Sequence, residues 1–106
     1  MWTVRIHKLV FSEDFKRINL QAQRRIIKTI RKKLTIDPKG YGKSLGDDLA
    51  GYWRLRVGDY RAIYKVSERE VEVLVIKVGI RRDFEVYEKL LSRLRKLKRQ
   101  PLSPRR

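Results

Sequence analysis

The sequence predicts one two-layer α+β domain, in which a helical hairpin packs on a mainly antiparallel four-stranded sheet. The chain has 106 residues, which is the usual size of a single domain. Four short runs are rich in alternating or β-branched apolar residues, as strands are. Between the first and second runs, apolar residues recur every three or four positions, as in helices. The predicted order is therefore β-α-α-β-β-β-α, with one apolar sheet face covered by one apolar helical stripe.

The N-terminal half predicts one strand and two helices. Residues 2–9 alternate large apolar and polar side chains, which is typical of a half-buried strand. Ser12 precedes two acidic residues, which indicates a helix start. Asn19 interrupts the following stripe as a second cap, so we expect a short helix and a longer one from about Leu20 to Ile36. The stripe consists of Phe15, Ile18, Ala22, Ile26, Ile30 and Leu34.

The C-terminal half predicts three strands and a helix. Residues 37–40 read Asp-Pro-Lys-Gly and end the second helix, and a glycine-rich loop follows. The runs 52–57, 60–66 and 71–78 are joined by short turns, so they form an antiparallel meander. Asp83 can cap a last helix that carries Phe84, Tyr87, Leu91 and Leu94, with Leu90 and Leu97 beside them. We place the domain at 1–95 and expect a flexible basic tail at 96–106.

The charge indicates a polyanionic partner. Lys and Arg number 28 against 12 Asp and Glu, a net charge of +16, and such charge is typical of nucleic-acid binding. A heat-adapted surface is the alternative, although that adaptation usually raises Glu together with Lys. The chain has no cysteine and one histidine, which argues against a disulfide scaffold, a metal centre and a thiol nucleophile. It also has no apolar run of about 20 residues, so we expect a cytoplasmic protein without a metal or cofactor.

Arginines converge on one face of the predicted meander. In the run 52–57, Trp53, Leu55 and Val57 share the core face, whereas Arg54 and Arg56 share the other face about 7 Å apart. Further candidates for this face are Arg61, Arg81 and Arg82, with Tyr52, Tyr60 and Tyr87 beside them. Arginine binds phosphate bidentately and tyrosine stacks on unpaired bases. The alternative is a solvated face whose arginines pair with Asp59, Glu70 or Glu72.

Two runs resemble the signatures of RelE/ParE-superfamily toxins. They read Tyr-Trp-Arg-Leu-Arg-Val-Gly-Asp-Tyr-Arg-Ala-Ile-Tyr at 52–64 and Val-Ile-Lys-Val-Gly-Ile-Arg-Arg-Asp-Phe-Glu-Val-Tyr at 75–87. The resemblance spans about residues 2 to 90, including the order of elements. It implies a microbial-ribonuclease-like fold and a toxin of a type II toxin–antitoxin pair. It also implies a RelB-like antitoxin with an acidic helical segment as the partner.

RelE-like members cut mRNA in the ribosomal A site through the 2′-OH, without metal. By position, Arg54 and Arg56 match the basic pair that holds or activates the 2′-OH, and Arg61 matches the arginine that steadies the phosphate. Arg81 matches the residue proposed to protonate the leaving oxygen or stabilise its charge, and Tyr87 matches the tyrosine that stacks on the base. The expected RNA- or ribosome-binding residues are Arg24, Arg25, Lys28, Arg31, Lys32 and Arg82.

Several alternatives stay open within this resemblance. The best-studied RelE-like member has lysines where this chain has Arg54 and Arg56, and arginine cannot lose its proton to act as a base. We expect His7 to be structural and Glu85 to be a helix-surface acid, so neither replaces the missing base. ParE-like relatives poison DNA gyrase instead, and a non-catalytic RNA-binding module is a third reading. The last helix either packs on the sheet or is displaced by the antitoxin, and the tail either contacts ribosomal RNA or is solvated.

Overall fold

A five-stranded sheet forms the centre of the molecule in the computed structural model, which describes residues 1–46, 49–80 and 85–99. The strands are β1 (Thr3–Ile6), β2 (Lys43–Ser44), β3 (Tyr52–Val57), β4 (Tyr60–Ser67) and β5 (Glu72–Ile80). Their order is β1-β5-β4-β3-β2, with β1 parallel to β5 and every other pair antiparallel. The predicted α+β class is confirmed, and the two-residue β2 adds a fifth strand at the edge.

Four α-helices accompany the sheet within the described ranges. They are α1 (Lys8–Ser12), α2 (Leu20–Leu34), α3 (Pro38–Tyr41) and α4 (Glu85–Arg99), with a 3-10 turn at Asp14–Arg17. The expected cap at Asn19 is present, because its side chain accepts a hydrogen bond of 2.8 Å from the amide of Ala22. None of these helices is long and apolar enough to cross a bilayer.

The start of the first helix was predicted at the wrong residue. The helix begins at Lys8 and ends at Ser12, so Ser12 does not cap it. His7 is the cap: its Nδ1 accepts a hydrogen bond of 3.1 Å from the amide of Leu9. The strand-like alternation runs through Leu9 in the sequence, but β1 ends at Ile6 because His7 turns the chain into the helix.

The cap at His7 gives a pH-dependent stability. Burial lowers the pKa of His7, with the positive charges of Arg93 and Lys8 acting in the same direction. As the pH falls from about 7, the imidazole of His7 is protonated in the unfolded chain at a higher pH than in the folded chain. The free energy of unfolding therefore decreases until the pH has passed the pKa of His7 in the folded chain. We expect the urea midpoint to fall between about pH 7 and pH 5. His7→Asn keeps a capping side chain and should flatten this dependence; an unchanged slope would assign the effect elsewhere.

The main core lies between α2 and one face of the sheet. Ile26, Ile30 and Leu34 of α2 are buried, as the predicted stripe requires. They form one cluster with residues of the strands and of the preceding turn: Val10, Phe15, Ile18, Leu55, Val57, Ala62, Tyr64, Val73, Val75 and Val78. The predicted core side of β3 is therefore confirmed, with Trp53 partly buried at its margin.

Helix α4 covers part of the opposite sheet face. Leu90 is fully buried against Ile63 and Ile76, and Leu94 and Leu97 pack at the edge of this second cluster. Spacings of four and three put these leucines on one helical stripe. The expectation that Leu91 faces the sheet is wrong, because Leu91 is 51% exposed. Phe84 lies outside the described residues.

The expected tail begins inside this helix. Helix α4 continues to Arg99, so residues 96–99 are helical rather than part of a flexible tail. Two contacts extend the helix: Leu97 continues the apolar stripe, and Lys96 donates two hydrogen bonds of 2.8 Å to Glu13. The remaining expected tail, residues 100–106, lies outside the described residues.

Candidate nucleic-acid site

Arg54, Arg56 and Arg61, which we call the arginine row, lie on one face of the sheet. Arg56 on β3 is directly opposite Arg61 on β4, and Arg54 is opposite Ile63. Because Ile63 belongs to the cluster under α4, the row shares the face that α4 crosses. Arg54 and Arg61 are partly buried, and Arg56 is exposed. The meander therefore brings these predicted site residues together.

The pairing of Arg56 with Arg61 is electrostatically unfavourable by itself. Directly opposite residues of antiparallel strands have Cβ atoms about 4.5–5.5 Å apart, and like charges there destabilise the sheet. An anion between two such guanidiniums offsets the repulsion and accepts bidentate hydrogen bonds. Of the acids considered as partners of a solvated face, Glu72 contacts Arg5 at 3.4 Å and Glu70 contacts Ser67 at 2.9 Å. Arg54 and Arg61 also have interactions of their own within the protein.

The remaining predicted site residues lie around the end of β5 in the sequence. Arg81 and Arg82 lie outside the described residues, directly after Ile80. Ile80 is the last residue of β5 and pairs with Tyr60, the neighbour of Arg61. Tyr87 is the third residue of α4, and its side chain also lies outside the described part. The structure thus describes three members of the predicted catalytic set.

Five of the six basic residues of α2 form a second, separate surface, which we call the basic helix surface. All five are exposed: Arg24, Arg25, Lys28, Arg31 and Lys32. Because α2 packs on the sheet face opposite α4, this surface and the arginine row lie on opposite sides of the sheet. Arg25 reaches the β3–β4 turn, where Gly58 has a φ of +57° and a Cβ would lie 3.1 Å from the guanidinium.

A buried ionic cluster at the end of β5 was missed by sequence reasoning. It comprises Asp14, Lys77 and Arg93, and we call it the Asp14 network. Asp14 Oδ1 accepts hydrogen bonds of 2.6 Å from Lys77 Nζ and 2.7 Å from Arg93. Its other oxygen accepts from the amide of Val78 at 2.9 Å and again from Arg93 at 3.2 Å. The Asp14 side chain is 1% exposed, so the network joins the 3-10 turn, β5 and α4.

A β-bulge places Lys77 in this network. Ile63 pairs with Lys77 and Tyr64 with Val75, so Ile76 is an extra residue in β5. The bulge turns Ile76 and Lys77 toward the same side, under α4. Arg93 also donates a hydrogen bond of 2.9 Å to the carbonyl of Ile76. A lysine inside the apolar run 71–78 was the one sequence signal for this arrangement.

Cationic side chains dominate the described site. In the described ranges, no group of three or more His, Cys, Asp or Glu side chains could hold a metal ion. Next to the network, a hydrogen bond from Lys96 lowers the pKa of Glu13, and the nearby charge of Arg93 acts in the same direction. The site can therefore bind and neutralise anionic groups through guanidinium and ammonium donors.

The fold and the arginine row define a small basic α+β protein of the RelE-like toxin class. A family model described as the ParE toxin of the type II toxin–antitoxin system parDE matches residues 4–84. The chain therefore belongs to this family, within the RelE/ParE superfamily, and is a toxin of a type II toxin–antitoxin system. The resemblance stated from the motifs is confirmed.

Solved structures agree with this assignment. The toxin–antitoxin complex RelBE2 of Mycobacterium tuberculosis contains a chain 25% identical to this one, with a TM-score of 0.69, covering 76% of this chain and 98% of that one. The archaeal RelE–RelB complex of Pyrococcus horikoshii OT3 gives 25% identity and a TM-score of 0.54, covering 76% and 94%. The isolated E. coli RelE toxin, at 19% identity, shares the fold with a TM-score of 0.61, covering 89% and 99%. No curated protein sequence matches the chain significantly.

Proposed function

We propose that this toxin is a metal-independent, ribosome-dependent mRNA endoribonuclease that acts in the cytoplasm. The arginine row carries the proposal, because Arg56 and Arg61 face each other across two strands on an accessible sheet face. Two opposed guanidiniums match the oxygens of one phosphate better than they match a neutral ligand. Likeness to RelE chains in solved toxin–antitoxin complexes supports the same reading.

The proposed reaction is attack of a ribose 2′ oxygen on the adjacent phosphorus. The 2′-OH gives its proton to water as its oxygen bonds to phosphorus, and the bond from phosphorus to the 5′ oxygen of the next nucleotide breaks. Negative charge builds up on the phosphoryl oxygens, and the leaving 5′ oxygen takes up a proton, so the products are a 2′,3′-cyclic phosphate and a 5′-OH. Arg54 and Arg56 would hold the 2′-OH side of the phosphate, and Arg61 would bind its oxygens. Since none of them can lose a proton at neutral pH, they act by charge stabilisation and alignment.

Two further residues of the sequence complete the proposed set. Arg81 would stabilise or protonate the leaving oxygen, and Tyr87 would stack on the base. The basic helix surface, on the other side of the sheet, would contact ribosomal RNA while the arginine row holds the mRNA. Docking and chemistry would then use different faces of one small domain, with Arg82 contributing to RNA binding.

Mapping mRNA ends after expression of the chain tests the proposal. We expect new 5′ ends within translated regions, and none in an untranslated control message. The double variant Arg81→Ala/Tyr87→Ala should abolish both the cleavage and the growth arrest. Intact messages during growth arrest, or undiminished toxicity of the double variant, would contradict nuclease activity.

The family match favours a second candidate, inhibition of DNA gyrase. The matching model is described as a ParE toxin and covers residues 4–84, which include the whole arginine row. Under this reading, purified chain would block supercoiling by gyrase, and expression would break DNA while leaving mRNA intact. A harmless chain with only salt-sensitive RNA binding would instead indicate a non-catalytic module.

A neutralising antitoxin is the other proposed partner. The exposed cations of α2 and α4 would attract a RelB-like protein with an acidic helical segment. The similar structures of M. tuberculosis and P. horikoshii are complexes of a RelE chain with a RelB chain. Co-expression with an acidic protein encoded by the adjacent reading frame should restore growth and yield a complex that dissociates at high salt.

Replacing Arg54 and Arg56 together by lysine tests how much the missing base limits catalysis. Lysine among other cations loses its proton more easily than in water, and a positioned base contributes about 10²-fold to 10⁴-fold. We expect the double lysine variant to cleave ribosome-bound mRNA faster and to become pH-dependent above neutrality. An equal or slower rate with unchanged pH dependence would show that deprotonation does not limit this enzyme.

A further inference from the structure

A groove of about 320 Å³ lies beside the open edge of β5, between the 3-10 turn and α4. Strand β1 pairs with β5 only as far as Val75, so among the described residues the last part of β5 has no neighbouring strand on that side. The groove follows this edge to Ile80. We call it the β5 groove, and it is distinct from the arginine row, which lies on β3 and β4.

The wall of the β5 groove carries excess positive charge. Five of its lining side chains are cationic and two, Glu13 and Asp14, are anionic. Both carboxylates already accept hydrogen bonds from cations: Asp14 from Lys77 and Arg93, and Glu13 from Lys96. The acids therefore do not compete for a ligand, and the remaining charge favours an anion.

The wall offers two further donors, a guanidinium and a backbone amide. Arg17 is exposed and forms no ion pair with any residue in the described parts of the chain. The amide of Val78 points to the open edge, where it binds Asp14, and successive residues alternate along a strand. The amide of Ile80 therefore points to the same edge. A guanidinium and a backbone N–H together match the oxygens of a phosphate.

The size of the groove favours a nucleotide over a protein segment. An α-helix with side chains is about 10–12 Å across, so a space of about 320 Å³ holds no more than a short piece of one. The volume lies at the lower end of sites that hold small molecules. The side chain of Ile80, 46% exposed, adds an apolar surface of the kind that contacts a ribose.

We propose that the β5 groove binds a backbone phosphate of single-stranded RNA, with Arg17 and the Ile80 amide as donors. The inference rests on the proposed function for its choice of RNA. Ile80 pairs with Tyr60, the neighbour of Arg61, so an RNA strand held at the arginine row would place a neighbouring phosphate at the groove. The groove thereby extends the substrate path past the arginine row, to the far side of β5.

Salt-dependent binding of a short 2′-O-methyl RNA, which cannot be cleaved through the 2′ oxygen, tests this site. Arg17→Gln should weaken binding to the full-length chain about tenfold, as expected for one charged hydrogen bond. It should also reduce the slope of log affinity against log salt by about 0.7, the value for one phosphate of a single strand. The matched control is Lys16→Gln, because Lys16 is an exposed neighbour outside the groove; it should change neither quantity.

A spectroscopic measurement locates the contact directly. Titration with the same RNA should shift the amide resonance of Ile80 at the same RNA concentration in the wild type and in Lys16→Gln, whereas Arg17→Gln should need about tenfold more RNA for the same shift. Equal effects of the two substitutions, or an unmoved Ile80 amide, would overturn the inference. So would a loss of affinity in Arg17→Gln for an acidic helical peptide without any loss for RNA.

These experiments can refute the phosphate site and the proposed nuclease activity independently of each other. Cleavage of mRNA by the wild type with no specific effect of Arg17 would overturn the groove and leave the nuclease proposal standing. Specific effects of Arg17 on affinity and on the Ile80 amide, in a chain that cleaves no message, would support the phosphate site while refuting the nuclease.

Discussion

Arg56→Gln is expected to reduce mRNA cleavage by about 10²-fold to 10³-fold, which is the usual cost of removing one charge-stabilising donor. Arg56 is the exposed member of the arginine row and lies directly opposite Arg61. Glutamine keeps much of the length and some hydrogen-bonding capacity, but it lacks the charge that balances the phosphoryl oxygens. The loss should therefore appear in the rate on the ribosome-bound message rather than in ribosome binding.

The same substitution is expected to leave the fold as stable as the wild type or slightly more stable. Like charges directly opposite each other on neighbouring strands are destabilising, and Arg56→Gln removes one of the two charges. A drop in activity together with unchanged or increased stability distinguishes a ligand-binding residue from a structural one. Thermal unfolding and the cleavage rate should therefore be measured on the same preparation.

Arg69→Gln provides the matched control. Arg69 is an exposed arginine in the turn between β4 and β5, away from the arginine row. This variant should retain wild-type cleavage and stability. If Arg56→Gln cleaves like Arg69→Gln, the arginine row does not contact the scissile phosphate, and the gyrase reading gains support.

Sequence patterns predicted those elements in which apolar residues repeat with a single helical or strand period. The alternation in 52–57 gave the correct core side of β3, and Asn19 marked the start of α2. Arg54, Arg56 and Arg61 fall on one face because a two-residue turn fixes the register of β3 and β4. The grouping of these arginines therefore followed from strand geometry, whereas their roles rest on the family resemblance.

Other features depend on contacts that no local pattern reveals. The bulge at Ile76 breaks the two-residue period of β5 and brings Lys77 under α4. Leu90 rather than Leu91 faces the sheet, because the docking of α4 is set by Arg93 as well as by leucines. Asp14 looked like an acid at a helix start, and its partners lie 63 and 79 positions away in the chain. Sequence spacing could not indicate that these three residues meet.

The largest expected loss of stability is that of Asp14→Asn. The substitution preserves the shape of the side chain but removes the negative charge that Lys77 and Arg93 share. Arg93 is 3% and Lys77 is 11% exposed at the side chain, so their charges would remain buried without a counterion. Breaking such a buried pair costs about 3–5 kcal/mol, a large share of the roughly 5–15 kcal/mol that stabilises a domain. Urea unfolding should show this loss as a lower midpoint.

Glu13→Gln is the matched control for Asp14→Asn. It removes the same negative charge at the adjacent residue, but from an exposed side chain, so a difference between the two variants measures the effect of burial. Glu13 pairs with Lys96 at 2.8 Å, but its side chain is 41% exposed, and exposed pairs contribute at most about 1 kcal/mol.

If uncompensated charge is the cause, adding Lys77→Met to Asp14→Asn should recover part of the loss, although Lys77→Met alone destabilises the wild type. Equal small effects at both acids would mean that α4 is held by Leu90 and its apolar neighbours alone. The Asp14 network would then have no role in joining the helix to the strand that leads to Arg81.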